Sequence, residues 1–217
     1  MQVYNNTNYS LNFKATKVAT TYNYVRGNTS IDVFRLSTED KKFLDKLLEK
    51  ISIKNLCPKL SESVQSRWQK VFDYCIQEAK ENLSQSYIAI TNGKPCGILT
   101  YRDDGMRNNF LSGVCSIPNP NGKKTPLAGH TLLYQIFKDS SEQSPQRGIV
   151  LEAIHNGPVD VVKKYEDIGF TQIAEIEDYT VMSCNKFKVT NELKNFEKQI
   201  EYESVEPEKV NLESLLY

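Results

Sequence analysis

A chain of 217 residues, 39% hydrophobic and 25% charged, has the composition of a globular protein. Its length fits one domain with extensions, or two small ones at most. Basic and acidic residues both number 27, so no global field draws in nucleic acid or an anionic membrane. Neither partner is expected.

Five cysteines (Cys57, Cys75, Cys96, Cys115, Cys184) form no CxxC pair, and only two histidines accompany them. A zinc site needs clustered ligands, and a disulfide framework belongs to small secreted domains. The expectation is therefore reduced thiols, no metal and a cytoplasmic protein. The first residues lack the apolar core of a secretory signal, and no apolar run approaches the roughly 18 residues of a membrane helix.

In chain order, residues 1–29 are rich in Asn, Thr and Tyr and carry three basic residues and no acid. They predict an extended or disordered arm. Ile31 to Leu36 alternates like a strand. Ser37 offers a cap, and Phe43, Leu44, Leu47, Leu48 and Ile51 recur at helical spacing to about residue 52. Asn55 to Leu60, with Pro58, predicts a loop. Val64 to Leu83 then carries a wide apolar helical stripe that includes Trp68 and Cys75. Tyr87 to Thr91 and Gly97 to Tyr101 predict a hairpin around Asn92-Gly93, and Asn109 to Ile117 a third strand.

A basic loop from Pro118 to Pro126 leads into a helix over 127–137. Gly148 to Ile154 predicts a buried strand, and Pro158 the start of a short helix with Val162, Tyr165 and Ile168 turned inward. Phe170 to Ile176 and Tyr179 to Cys184 predict a closing strand pair. Thr190 to about Glu203 predicts an amphipathic helix, followed by a frayed tail. Residues 190–217 hold three lysines and seven glutamates, as an acidic, solvated end would. The division is thus an arm at 1–29, a domain at 30–187, and a C-terminal helix with an acidic tail at 188–217.

The central order of strand, two helices, three strands, helix, strand, helix and two strands resembles the GNAT (GCN5-related N-acetyltransferase) family over residues 30–185. Two local signatures support the resemblance. Tyr165-Glu166-Asp167-Ile168-Gly169-Phe170 is similar to the family's helix-ending Y-E-x-x-G-F. Gly169 suits a left-handed helix end. Lys124-Thr125-Pro126-Leu127-Ala128-Gly129 falls on the family's phosphate loop, an Arg or Gln, two residues, Gly, one residue, then Gly or Ala. Only Gly129 matches outright. Lys124 keeps the positive charge, Leu127 replaces a glycine, and Pro126 removes a donor.

The resemblance implies an α/β (α+β) fold, a mixed central sheet of about six to seven strands flanked by helices. It implies an acyl-CoA-dependent N-acyltransferase that uses acetyl-CoA as co-substrate. The cofactor would lie where the strands at 109–117 and 148–154 splay apart. Its diphosphate would meet the amides of Leu127, Ala128, Gly129 and His130 at a helix N-terminus, with Lys123 and Lys124 adding charge. The backbone of Cys115, Ser116 and Ile117 would pair with the pantetheine arm. Tyr165 would protonate the departing thiolate, and Glu152 would serve as base, with His155 as an alternative. The family asparagine seven residues before the tyrosine falls on Pro158, so Asn156 would substitute.

The acceptor would be an amine, on a small molecule or a peptide. A homodimer through an edge strand or the last helix stays open. So does a second class of function. Leu127, Pro126 and the missing asparagine suit a degenerate member that acts as a binding or interaction module.

Overall fold

A computed structural model describes residues 15–23, 29–119, 121–155, 160–198 and 200–212. Strands β1 (Ala15–Asn23) and β2 (Thr29–Arg35) precede three helices, α1 (Lys41–Lys50), α2 (Ile53–Leu56) and α3 (Glu62–Glu81). Strands β3 (Ser86–Thr91), β4 (Lys94–Asp103) and β5 (Asn108–Ser116) lead to α4 (Ala128–Glu142). The chain continues with β6 (Gly148–Ile154), α5 (Val161–Glu166), β7 (Thr171–Ile176), β8 (Tyr179–Cys184), α6 (Lys186–Glu197) and β9 (Glu201–Val210).

Local chemistry accounts for most boundaries. The Ser37 amide donates to the Asp40 carboxylate at 2.7 Å, and the Ser37 hydroxyl accepts from the Glu39 amide at 3.3 Å. These reciprocal bonds form a capping box ahead of α1. The Ser61 hydroxyl caps α3 through the Val64 amide at 3.4 Å. Asn92 and Gly93 take φ of 48° and 69°, as a tight hairpin turn between β3 and β4 requires.

The nine strands form one sheet in the order β7-β8-β6-β5-β4-β3-β2-β1-β9. Only β5 and β6 run parallel among the described pairs. On one face Leu132, Ile136 and Phe137 of α4 and Phe196 of α6 pack with Tyr87, Leu99 and Leu151. On the other, Phe43 and Leu47 of α1 and Phe72 and Ile76 of α3 pack with Ile88 and Ile98. A buried carboxylate fastens the first layer. Asp139 of α4 accepts from Tyr87 at 2.5 Å, Tyr101 at 2.7 Å and Gln135 at 2.9 Å, with Arg35 at 3.6 Å.

The ends of the chain correct the sequence reading. Of the 1–29 arm, residues 15–23 form strand β1, inserted between β2 and β9, and Thr29 is the first residue of β2. The helix expected at 190–203 runs from Lys186 to Glu197, started by the Asn185 side chain, which accepts from the Phe187 and Lys188 amides at 3.1 and 3.0 Å. Residues 201–210, expected as the end of that helix and the start of a frayed tail, form strand β9, paired along β1 from Ala15↔Val210 to Tyr22↔Glu201. The sheet therefore has nine strands, not six to seven. Part of the 55–60 loop is helical as the end of α2. Pro158 lies outside the described residues, and Asp160 caps α5 through the Lys163 amide at 3.4 Å.

Candidate functional site

The site begins where one pairing stops. The parallel strands β5 and β6 are in register from Asn108↔Gly148 to Leu111↔Leu151 and no further. β5 is then bulged. Thr100 of β4 faces Gly113 and Tyr101 faces Leu111, so Ser112 is the extra residue, and such an insertion bends its strand. The bend opens a gap between Gly113–Ser116 and Glu152–Ile154. At Gly113 an added Cβ would lie 2.7 Å from the Cys75 sulfur of α3, so α3 sits tight against the bulge. The Ser112 hydroxyl is buried without a hydrogen-bond partner.

Strand alternation decides which backbone groups face the gap. The Ile117 amide donates to the Cys96 carbonyl at 2.9 Å. Antiparallel pairing alternates, so the backbone groups of Ile117, Cys115 and Gly113 turn toward β4, and those of Val114 and Ser116 turn toward the gap. Of Cys115, Ser116 and Ile117, Ser116 alone turns its backbone groups toward the gap, as Val114 does. The Ser116 carbonyl accepts from the Trp68 indole N–H at 2.9 Å.

Past β5, the basic loop folds on itself. The Asn119 amide donates to Lys123 O at 2.8 Å, Gly122 N–H to Asn119 O at 2.8 Å, and the amides of Asn121 and Lys123 to the Asn119 side chain. These amides are spent internally. Leu127 caps α4 with φ of 63°, the left-handed conformation that glycine adopts without strain. Its side chain is half-buried against the core. The Ala128 amide bonds Thr125 O at 3.3 Å and the Thr131 amide bonds Leu127 O at 2.8 Å. The Gly129 amide has no partner among the described residues, and a Cβ at Gly129 would lie 3.8 Å from the Ser116 hydroxyl. The N-terminus of α4 thus adjoins the end of β5.

Two lysines converge there. The Lys124 ammonium lies 4.6 Å from the centre of the Trp68 ring. The residue as a whole is exposed, yet partial burial of the ammonium and then the charge of Lys164 on α5 push its pKa down. Lys123 is exposed. The His130 ring is half-buried and stands 6.1 Å from Phe196, toward α6.

Tyr165 stands on the other side of the gap. The helix end is built as its sequence implies. Gly169 takes φ of 93°, and the Phe170 amide returns to Tyr165 O at 3.0 Å. The Tyr165 ring packs edge-on against Phe170 at 5.5 Å. Its hydroxyl makes no hydrogen bond to a described residue. Burial pushes its pKa well up, with Cys75 adding to the rise. Tyr165 belongs to the layer under α4, whereas Cys75 belongs to the layer under α1 and α3. The phenol therefore reaches toward the opposite layer at the gap.

Glu152 is exposed on β6, one residue past the last β5–β6 pair, and forms no ion pair with a described residue. Its charge is felt by Tyr74 of α3. His155 is occupied, its ring nitrogens 2.8 Å from the Thr180 hydroxyl and 3.3 Å from Glu177 O. Asn156 lies outside the described residues. The five cysteines are free and buried, and burial raises Cys115 to about 12, which leaves it an unreactive thiol. A cleft of about 220 Å³ between Ile168 and Phe196 lies away from the gap. Among the described residues no helix is long and apolar enough to cross a membrane, and no cluster of three metal-ligating side chains occurs.

Sequence reasoning missed Trp68, Val114, Tyr74 and Lys164. Trp68 sat in an apolar helical stripe and read as core. Its indole N–H was the only sign that a polar partner had to exist.

No protein-family model matches the sequence, and no curated protein matches it. Solved structures do match. A nucleotide-linked sugar GNAT, FdhC in apo form, is 15% identical with a TM-score of 0.53, over 85% of this chain and 97% of that one. An acetyltransferase of the GNAT family from Listeria monocytogenes is 12% identical with a TM-score of 0.51, over 73% and 96%. An uncharacterized protein from Bacillus halodurans is 13% identical with a TM-score of 0.55, over 84% and 97%. The chain has the GNAT fold, as the order of its elements implies.

Proposed function

We propose that the protein transfers an acetyl group from acetyl-CoA to an amine in a single ternary complex. The observation that carries this reading is the open end of the β5–β6 pair with the unbonded Tyr165 phenol beside it. A strand edge left open can accept an extended ligand as an added strand. Val114 and Ser116 provide that edge for the amides of a pantetheine arm. The unpartnered Gly129 amide at the α4 N-terminus, with Lys124 and Lys164 close by, suits a diphosphate.

The chemistry follows from the groups at the gap. An ammonium with a pKa of roughly 10 must first lose a proton. Glu152, at the lip and without an ion-pair partner, takes it directly or through water. The amine nitrogen then attacks the thioester carbonyl carbon, and the Val114 amide steadies the oxygen as it gains charge. The C–N bond forms, the C–S bond breaks, the thiolate takes a proton from Tyr165, and the second proton leaving the new amide nitrogen restores the phenol, so that a neutral amide and a thiol result. A phenol is protonated at neutral pH at its ordinary pKa of about 10, and burial raises that further, so the proton to be donated is present.

Two measurements test the reading. Acetyl-CoA at 100 times its dissociation constant stabilises a binding protein by about 2.7 kcal/mol, so thermal melting rises if the gap binds it. Tyr165→Phe is expected to lower kcat by about 100-fold and to leave CoA affinity within about threefold. An unchanged kcat removes Tyr165 from catalysis. A second reading, an interaction module that no longer binds CoA, draws on the internally bonded loop at 119–123 and on Trp68 occupying the Ser116 carbonyl. An unshifted melt at millimolar acetyl-CoA favours it.

A further inference from the structure

Beside the gap, one face of the sheet carries no helix among the described residues. The helices α4, α5 and α6 pack on the opposite face of β6, β8 and β7. The uncovered face is laid out by two cross-strand rows. Ile154 pairs with Tyr179, and Tyr179 with Ile176. Glu152 pairs with Val181, and Val181 with Ala174. Ile154 is 52% and Ile176 44% exposed, while Tyr179 and Val181 are half-buried. Glu152 is the only charged side chain in these rows, and no cation of a described residue pairs with it. Arg102, the cation beside this area, is already paired with Glu78 at 3.4 Å and lies over the Phe110 ring at 5.0 Å.

A single unpaired carboxylate within an exposed apolar lattice selects a ligand of matching chemistry. One positive charge is matched, and any second charge would lie on hydrocarbon. We propose that the acceptor is a small primary amine on an uncharged apolar body, with its nitrogen at Glu152 and its body across Ile154, Tyr179 and Val181. The assignment rests on the transfer reading above for its chemistry, but the binding face stands on its own geometry. Polyamines would leave a second ammonium without a partner. Acidic amino acids would bring a carboxylate to a face that already has one. Burying an apolar side chain of ligand size is worth about tenfold or more in affinity, so the body dominates selectivity.

The test uses the full chain and calorimetric titration with 2-phenylethylamine, ethanolamine, spermidine, glutamate and a hexapeptide with a free N-terminus, without acetyl-CoA. Phenylethylamine is expected to bind at least about tenfold more tightly than the others. Val181→Lys sets an ammonium directly across from Glu152 and is expected to weaken phenylethylamine at least about tenfold. Glu152→Gln gives the same loss and replaces Val181→Lys should that variant not fold. Equal binding of spermidine, ethanolamine or the peptide overturns the inference, as does unchanged affinity in either variant. Thiol release with acetyl-CoA is then measured on the same amines. Phenylethylamine that binds but releases no thiol keeps the amine site and overturns the proposed transfer.

Discussion

Leu127 holds a left-handed backbone at the start of α4, a conformation that costs a side-chain-bearing residue about 1–3 kcal/mol. The family motif has glycine at this slot, and the φ of 63° gives the physical reason. Leu127→Gly removes the strain and also a half-buried side chain. Its stability is expected to stay within about 1 kcal/mol of the parent, while CoA affinity, read by calorimetry, rises because the backbone can come closer to phosphate. Asp139 is a different case. It accepts from two tyrosines and a glutamine in the core, so Asp139→Ala strands three donors and Arg35. A loss of about 3–5 kcal/mol is expected, seen as a lower urea midpoint at unchanged m. The sequence held little sign of this cluster, because Tyr87, Tyr101 and Asp139 lie on three elements and meet only through the fold. Tyr165 was legible because its neighbours Gly169 and Phe170 fix its place locally.

At the scale of the element, β2 to β8 were readable from caps, turns and periodicity, since each carries its signal within a few residues. The gap itself was not. It depends on the bulge at Ser112, and nothing in Phe110 to Cys115 marks an extra residue except Gly113, whose need for a missing Cβ appears only once Cys75 is packed against it. β9 was missed for a plain reason. Seven of its ten residues are exposed, and Glu-rich, Pro-containing sequence imitates a tail. Pro207 fits because it falls in the register break between Lys17↔Glu208 and Ala19↔Ser204, where no ladder amide is required. The glutamates of β9 also guard an outer edge. Removal of residues 200–217 strips this guard from β1 and takes away the Tyr202–Gln135 bond of 3.0 Å. The truncated protein is expected to associate, with light scattering rising with concentration, where the full chain stays monodisperse.

For the molecule as a whole, zero net charge hides a local concentration of positive charge. Lys164 lies close enough to Lys124 for its charge to help push the Lys124 pKa down, after burial. Their field is short-ranged, since screening acts over about 8–10 Å at physiological salt. CoA affinity is therefore expected to fall as salt rises from about 50 to about 500 mM, since the screening length shortens over that range. Lys124→Met is expected to cost about tenfold at low salt and to flatten the dependence. Equal slopes for the two proteins would remove Lys124 from phosphate binding.

The adjacency of Ala15 and Val210 has a mechanical consequence. A tether attached near both ends would load β1 and β9 at one corner, across their hydrogen bonds rather than along them. The bonds then fail one at a time, like a zipper. In an optical trap the first event should be a low-force release of β9 alone, with the remaining sheet yielding only at higher load.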